Sequence, residues 1–120
     1  MDANDGRVRQ FNISSKMTQE QFNQTINFLM QSGDEIRSAK QPEYTLENVD
    51  VLNNFKQSAI RAGVSPMQVW SIFFDKQLSS IQAHIKNPDL VQAEPLDSRW
   101  ADLYNYLLLG FALYKESDEH

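Results

Sequence analysis

The stretch Glu94-Pro95-Leu96-Asp97-Ser98-Arg99-Trp100-Ala101-Asp102-Leu103-Tyr104-Asn105-Tyr106-Leu107 constrains this chain more than any other, because it sets Arg99, Asp102 and Asn105 among residues otherwise suited to a buried helix. A helix brings residues three apart onto one face. Burying a carboxylate or an amide there costs several kcal/mol unless it is hydrogen-bonded, paired or used on a ligand. Either a structural network or a polar binding site therefore lies on that face.

At 120 residues and 13.9 kDa the chain fits one domain with a single hydrophobic core. It contains no cysteine, which excludes disulfides, thiolate metal sites and cysteine nucleophiles and is compatible with life in the cytoplasm. A net charge of −5 supplies no basic stripe for a phosphate backbone, so an extended nucleic acid is not an expected partner. No apolar run approaches the ~20 residues of a membrane span, and Met1-Asp2-Ala3-Asn4-Asp5-Gly6 has neither the basic nor the apolar region of a signal peptide. No membrane partner is expected.

The pattern predicts an all-α, single-domain bundle of about four helices with a polar N-terminal arm. Residues 1–16 read as a flexible or docking arm in which Val8, Phe11 and Ile13 alternate, residues 17–116 as the bundle and residues 117–120 as a frayed tail. Thr18 with Gln21 forms a capping-box pattern that opens a helix, with Phe22, Ile26, Leu29 and Met30 on one face before Gly33; the spacing is compatible with a resumption through Ile36. Gln41-Pro42-Glu43-Tyr44 reads as a breaker. Val49, Leu52, Phe55, Ala59 and Ala62 then recur at helical spacing, predicting a second helix over about 46–62 that Gly63 stops.

Ser65-Pro66-Met67-Gln68 opens a third helix that runs to about Lys86: serine as N-cap, proline at the first helical position and glutamine at the third. Asn87-Pro88 ends it, and residues 87–94 read as a loop. Asp97 or a neighbour caps the fourth helix, whose apolar stripe reads Trp100, Leu103, Leu107, Leu108 and Phe111 as far as the charged end Lys115–His120.

Several polar positions are candidates for chemistry. Lys76, Ser80 and His84 are spaced by four on the third helix, and each can donate a hydrogen bond to an anionic group such as a phosphate. The competing reading is a solvated stripe with Lys76 reaching along the surface. On the second helix Asp50 and Asn54 stand four apart. Asparagine is a poor helix former, so Asn54 is either a ligand group or an exposed residue without a task. Glu47, Asp50, Glu94, Asp97 and Asp102 are the candidate carboxylates for Mg²⁺, which needs only one or two of them alongside substrate phosphates and water. Asp102 is the best placed by periodicity and Asp50 second. His120 belongs to the tail, and no metalloprotease, phosphate-loop or serine-hydrolase motif is present.

Three blocks in this order carry a family resemblance. They are Asn53-Asn54-Phe55-Lys56-Gln57-Ser58-Ala59 with Gly63-Val64-Ser65-Pro66, then Gln68-Val69-Trp70 leading to Lys76-Gln77-Leu78-Ser79-Ser80-Ile81, and then Glu94 to Arg99 through Asp102 and Asn105-Tyr106-Leu107. Together they resemble the nucleotide-modification-associated domain family of phage and prophage proteins, which looks like a distant branch of the all-α MazG and dimeric dUTPase nucleotide pyrophosphatases. The likeness covers about residues 45 to 114. It implies an all-α nucleotide-handling fold, assembled as a homo-oligomer, in the cytoplasm of an infected bacterial host. Such enzymes hold Mg²⁺ with two acidic pairs; here the second helix offers Glu47 and Asp50, and Arg99 stands three before Asp102 where an acid would complete a pair. Relatives often carry a lysine-histidine pair where this chain has Lys76-Gln77.

Three functions follow as expectations. The first is capture of a nucleotide or nucleotide-derived signal by Asn54, Lys76, Ser80, Arg99, Asp102 and Asn105, with Trp70, Tyr104 or Tyr106 stacking on a base. The second is Mg²⁺-dependent hydrolysis of a nucleoside triphosphate, with Asp50 and Asp102 on the metal. The third is a protein-interaction or inhibitor module that meets a host protein or another copy through Trp70, Phe73, Phe74 and Trp100. Binding without turnover ranks first.

Overall fold

The computed structural model describes residues 16–46, 50–90 and 95–118. They form four helices, α1 (Gln19–Leu46), α2 (Asn53–Ala62), α3 (Pro66–Lys86) and α4 (Leu96–Asp118), with no strand among the described residues. The chain is an all-α bundle. Except for Lys16, the N-terminal arm lies outside the described residues, as do Glu47, Val49, Glu94 and His120.

The local start signals act as their chemistry requires. The Thr18 N–H donates to Gln21 Oε1 at 2.9 Å and the Gln21 N–H to Thr18 Oγ1 at 3.1 Å, a reciprocal box at the start of α1. Ser65 and Gln68 exchange the same two bonds at 2.8 and 3.1 Å, with Pro66 in the first turn of α3. Gly63 adopts φ 71°, and the following Val64 N–H returns to the Ala59 carbonyl at 3.0 Å, closing α2 with a left-handed turn that glycine adopts without strain.

Several expectations need correction. Gly33 does not end α1, which continues to Leu46 through Pro42. A Cβ on Gly33 would come within 2.8 Å of Tyr104 Cδ2 and 3.1 Å of Asn105 Oδ1, so this glycine permits close helix approach and is not a stop signal. Pro42 removes one backbone donor, but that penalty is local, and a helix already nucleated over six turns propagates past it.

The second helix is shorter than its periodicity predicts, starting at Asn53. Asp50 is the reason: its Oδ1 accepts the Leu52 N–H at 2.8 Å and its carbonyl accepts the Asn53 N–H at 3.0 Å, which fixes a turn ahead of the helix. In the fourth helix Asp97 lies inside the first turn, where its charge favours the N-terminal end of the dipole, and is not the cap.

The largest correction concerns the inward face of α4. Trp100, Leu107, Leu108 and Phe111 are exposed, and the buried positions are Ala101, Asn105, Gly110 and Leu113. A Cβ on Gly110 would fall inside the Trp70 indole, so α3 and α4 meet where α4 has no side chain. Leu113 joins Leu52, Phe55, Ala59 and Val69 in the core, flanked by Met67, Trp70, Tyr106 and Leu109. Among the described residues α1 packs on α4, and α3 packs on both α2 and α4.

Candidate functional site

The register between α3 and α4 follows from three contacts. The Trp70 indole N–H donates to the Tyr106 carbonyl at 2.6 Å, the same ring lies over Gly110, and Phe73 stacks on Tyr106 with centroids 6.4 Å apart. Residues later on α3 thus meet residues earlier on α4, and the helices are antiparallel. Continuing one turn at a time brings Gln77 level with Asp102 and Leu103, Ile81 level with Arg99, and His84 level with the start of α4. Ile81 is 2% exposed and Ala101 0%.

This half of the seam holds an unusual set of groups. Gln77 Oε1, His84 Nδ1 and Arg99 Nε are buried atoms without a hydrogen-bond partner. The guanidinium nitrogen is a donor, the amide oxygen an acceptor, and the imidazole nitrogen either one, according to tautomer. Each is a group that an anion or a polar ligand atom of the matching kind can satisfy. Ser80 is half-buried on the same helix, while Lys76 is exposed and has no ion-pair partner among the described residues. The stripe Lys76-Ser80-His84 thus runs from the surface into the seam.

Asn105 has a different task. It is 7% exposed, its Nδ2 donates to the Gly33 carbonyl at 3.0 Å, and its Oδ1 accepts from Arg37 Nη1 at 2.6 Å. Arg37 also pairs with Asp34. This network fastens α1 to α4. The separation of Asn105 from Arg99 follows from helix geometry: each step of three residues falls short of a full turn by about 60°, so over two steps the residues diverge by about 120°. Arg99 and Asp102 are half-buried, and Asp102 is itself engaged in an interaction.

Tyr106 is half-buried and occupied by Phe73 and the Trp70 N–H. Asn54 is exposed on α2, which packs on α3 around Phe55 and Phe73, centroids 5.9 Å apart, at the other half of that helix from Arg99. Ser80 on α3 and Arg99 and Asp102 on α4 are thus half-buried and Lys76 is exposed, while Asn54 lies on α2 and Asn105 and Tyr106 are engaged by α1 and by Trp70 with Phe73. Gln77, Gly33 and Arg37 were missed. Gln77 shares a face with Ile81 and His84 at helical spacing, which is the signal that marks it.

Asp50 and Asp102 do not fit one metal ion. Asp50 pairs with Lys56, whose Nζ also reaches Glu116 Oε1 at 2.8 Å. Glu116 lies fourteen residues beyond Asp102 on α4, about 21 Å along the axis. The Lys56 ammonium, and next the Leu52 N–H, hold the Asp50 carboxyl below the ordinary carboxylate value; Asp50, and next Glu116, hold the Lys56 ammonium above its own. Among the described residues no three His, Asp or Glu side chains collect as a metal site, and no helix is long and apolar enough to cross a membrane. Comparison with family models, with curated proteins and with solved structures found no match.

Proposed function

We propose that this chain binds a nucleotide or nucleotide-derived signal in the polar half of the α3–α4 seam, in the cytoplasm of an infected bacterial host. The observation that carries the reading is the trio of buried, unpartnered atoms Gln77 Oε1, His84 Nδ1 and Arg99 Nε. Leaving such groups unpaired costs about 1–3 kcal/mol each, a penalty that ligand contacts remove. Arg99 takes the phosphate, Lys76 steers it from the rim, and Ser80, Gln77 and His84 read the remaining polar groups. The resemblance to phage nucleotide-modification-associated domains agrees with this class of ligand.

Mg²⁺-dependent hydrolysis of the same class of ligand is the alternative, for which Asp102 is the carboxylate at the seam. Exposed aromatic side chains, Trp100 and Phe111 among them, favour a further reading as a protein-interaction module.

Isothermal titration with mono-, tri- and cyclic nucleotides, with and without Mg²⁺, tests the proposal. Arg99→Ala is expected to weaken binding at least about tenfold, or about 1.4 kcal/mol, and Lys76→Ala by less. Chromatography of the recovered ligand separates capture from cleavage. Absence of binding to the whole panel would overturn both nucleotide readings.

A further inference from the structure

Helix α1 is joined to the molecule differently from the other three. Among the described residues it packs on α4 and on no other element, and it gives no side chain to the core of Leu52, Phe55, Ala59, Val69 and Leu113 that holds α2, α3 and α4 together. Over residues 19–39 only Gly33 is buried. Leu29, Ser32, Ile36 and Arg37 are half-buried, and every residue from Gln19 to Phe28 is exposed. Phe22 at 49% and Phe28 at 58% exposed show how little of the apolar bulk of this helix enters the joint.

Close approach at a glycine and a polar clasp do the holding. A Cβ on Gly33 would come within 2.8 Å of Tyr104 and 3.1 Å of Asn105. Asn105 Nδ2 donates to the Gly33 carbonyl at 3.0 Å, and Arg37 Nη1 donates to Asn105 Oδ1 at 2.6 Å. The clasp is specific, because it fixes one register of α1 on α4.

Each member of the clasp also has a partner once α1 leaves. Arg37 keeps its pair with Asp34, which belongs to the same helix and does not cross the joint. The Gly33 carbonyl remains an acceptor of the intrahelical ladder. Asn105 exchanges two protein partners for water, an exchange in which most of the worth of a hydrogen bond is recovered. The hydrophobic term, which scales with the apolar area removed from water, is small at this contact and large in the core. A unit joined with few buried apolar contacts opens below the global unfolding transition.

We infer that the part of α1 around Gly33 is a strap on α4, clasped by Arg37 and Asn105, which opens while α2, α3 and α4 stay folded. Opening bares Tyr104 and Asn105, which follow Asp102 and Leu103 directly along α4. This strap does not rest on the nucleotide reading, and it is measured on the full chain without ligand.

Native-state hydrogen exchange at low, stepped denaturant reads the opening directly. The amides of residues 29–37 are expected to exchange through a state at least about a hundredfold more populated than the one that exposes the Val69 and Leu113 amides, and with a weaker dependence on denaturant. Asn105→Ala removes both bonds of the clasp and is expected to speed exchange of residues 29–37 by about tenfold more, with the Val69 and Leu113 amides unchanged. Gly33→Leu wedges the same joint from the α1 side and is expected to act alike, which keeps the test intact if loss of Asn105 disturbs α4. A single common opening for α1, α3 and α4 in the wild type would overturn the inference. So would residues 29–37 without protection, or equal loss of protection in α1 and at Val69 and Leu113 in both variants.

Discussion

The two halves of the α3–α4 seam are built from the same pair of helices and treat polar groups in opposite ways. Around Trp70 the seam is shut: the indole stacks on Phe74 with centroids 5.0 Å apart, donates its N–H to the Tyr106 carbonyl and fills the space above Gly110. Two to four turns further along α3 lie Gln77 and His84, which with Arg99 of α4 hold three buried atoms without a partner. The shut half contributes stability through packing and one satisfied polar group. The polar half leaves three buried atoms unsatisfied, the observation on which the proposed binding site rests.

Filling the shut half should produce the largest effect. Gly110→Val places carbon where the indole lies, and the ring cannot move without losing its hydrogen bond and its stacking on Phe74. Overpacking usually costs about 1–3 kcal/mol, occasionally more; with a rigid ring in the way, a loss of at least about 3 kcal/mol is expected in urea denaturation. Trp70→Leu in the same chain should recover part of that loss, because the two sites share one volume. A change below about 1 kcal/mol for Gly110→Val would mean that the shut half is pliable and the contrast between the halves is false.

The polar half should respond in the other direction. His84→Leu removes a buried unpartnered nitrogen while keeping apolar bulk, so stability is expected to stay level or rise by about 1 kcal/mol. The same substitution should weaken nucleotide binding in titration. Destabilisation by more than about 1 kcal/mol would show that His84 serves the fold, and the seam would then be structural along its whole length.

The legible parts of the sequence were those whose cause is local. Ser65, Pro66 and Gln68 specify the start of α3 within four residues, and Phe55 and Ala59, with Leu52 just before the helix, mark the buried side of α2 because most of its other positions are polar. Along α4 the hydropathy pattern fails. That helix is apolar on nearly every side from Leu103 to Tyr114, so its inward face is selected by absence of bulk, at Ala101 and Gly110, and not by hydrophobicity. Gly33 misleads for the same reason: a glycine that admits a neighbouring helix looks like one that ends its own. Of the proposed site, Arg99, Asp102, Ser80 and Lys76 were chosen from spacing alone. Asn105 was assigned to the same face because steps of three were treated as one face, whereas two such steps carry it round to α1.

A third polar cluster, Asp50, Lys56 and Glu116, extends the comparison to a place where the pairing is complete but wet. Lys56 joins the turn before α2 to the end of α4. Asp50 titrates below its usual 3.8, chiefly because of the Lys56 hydrogen bond, so its contribution is present above that value and is lost as pH falls through the lower folded one. Lys56 titrates above its usual 10.5, chiefly because of Asp50 and then Glu116, so its contribution is full below that value and disappears as pH climbs through the higher folded one. The Lys56 side chain is 30% exposed and the two carboxylates 38% each, so water and salt screen the cluster and its effect should be the smallest of the three. Lys56→Met should lower Tm slightly at neutral pH, and the difference from wild type should vanish in strong acid and in strong alkali. A difference independent of pH would instead assign Lys56 to packing by its alkyl stem, and would place this cluster with the shut half of the seam.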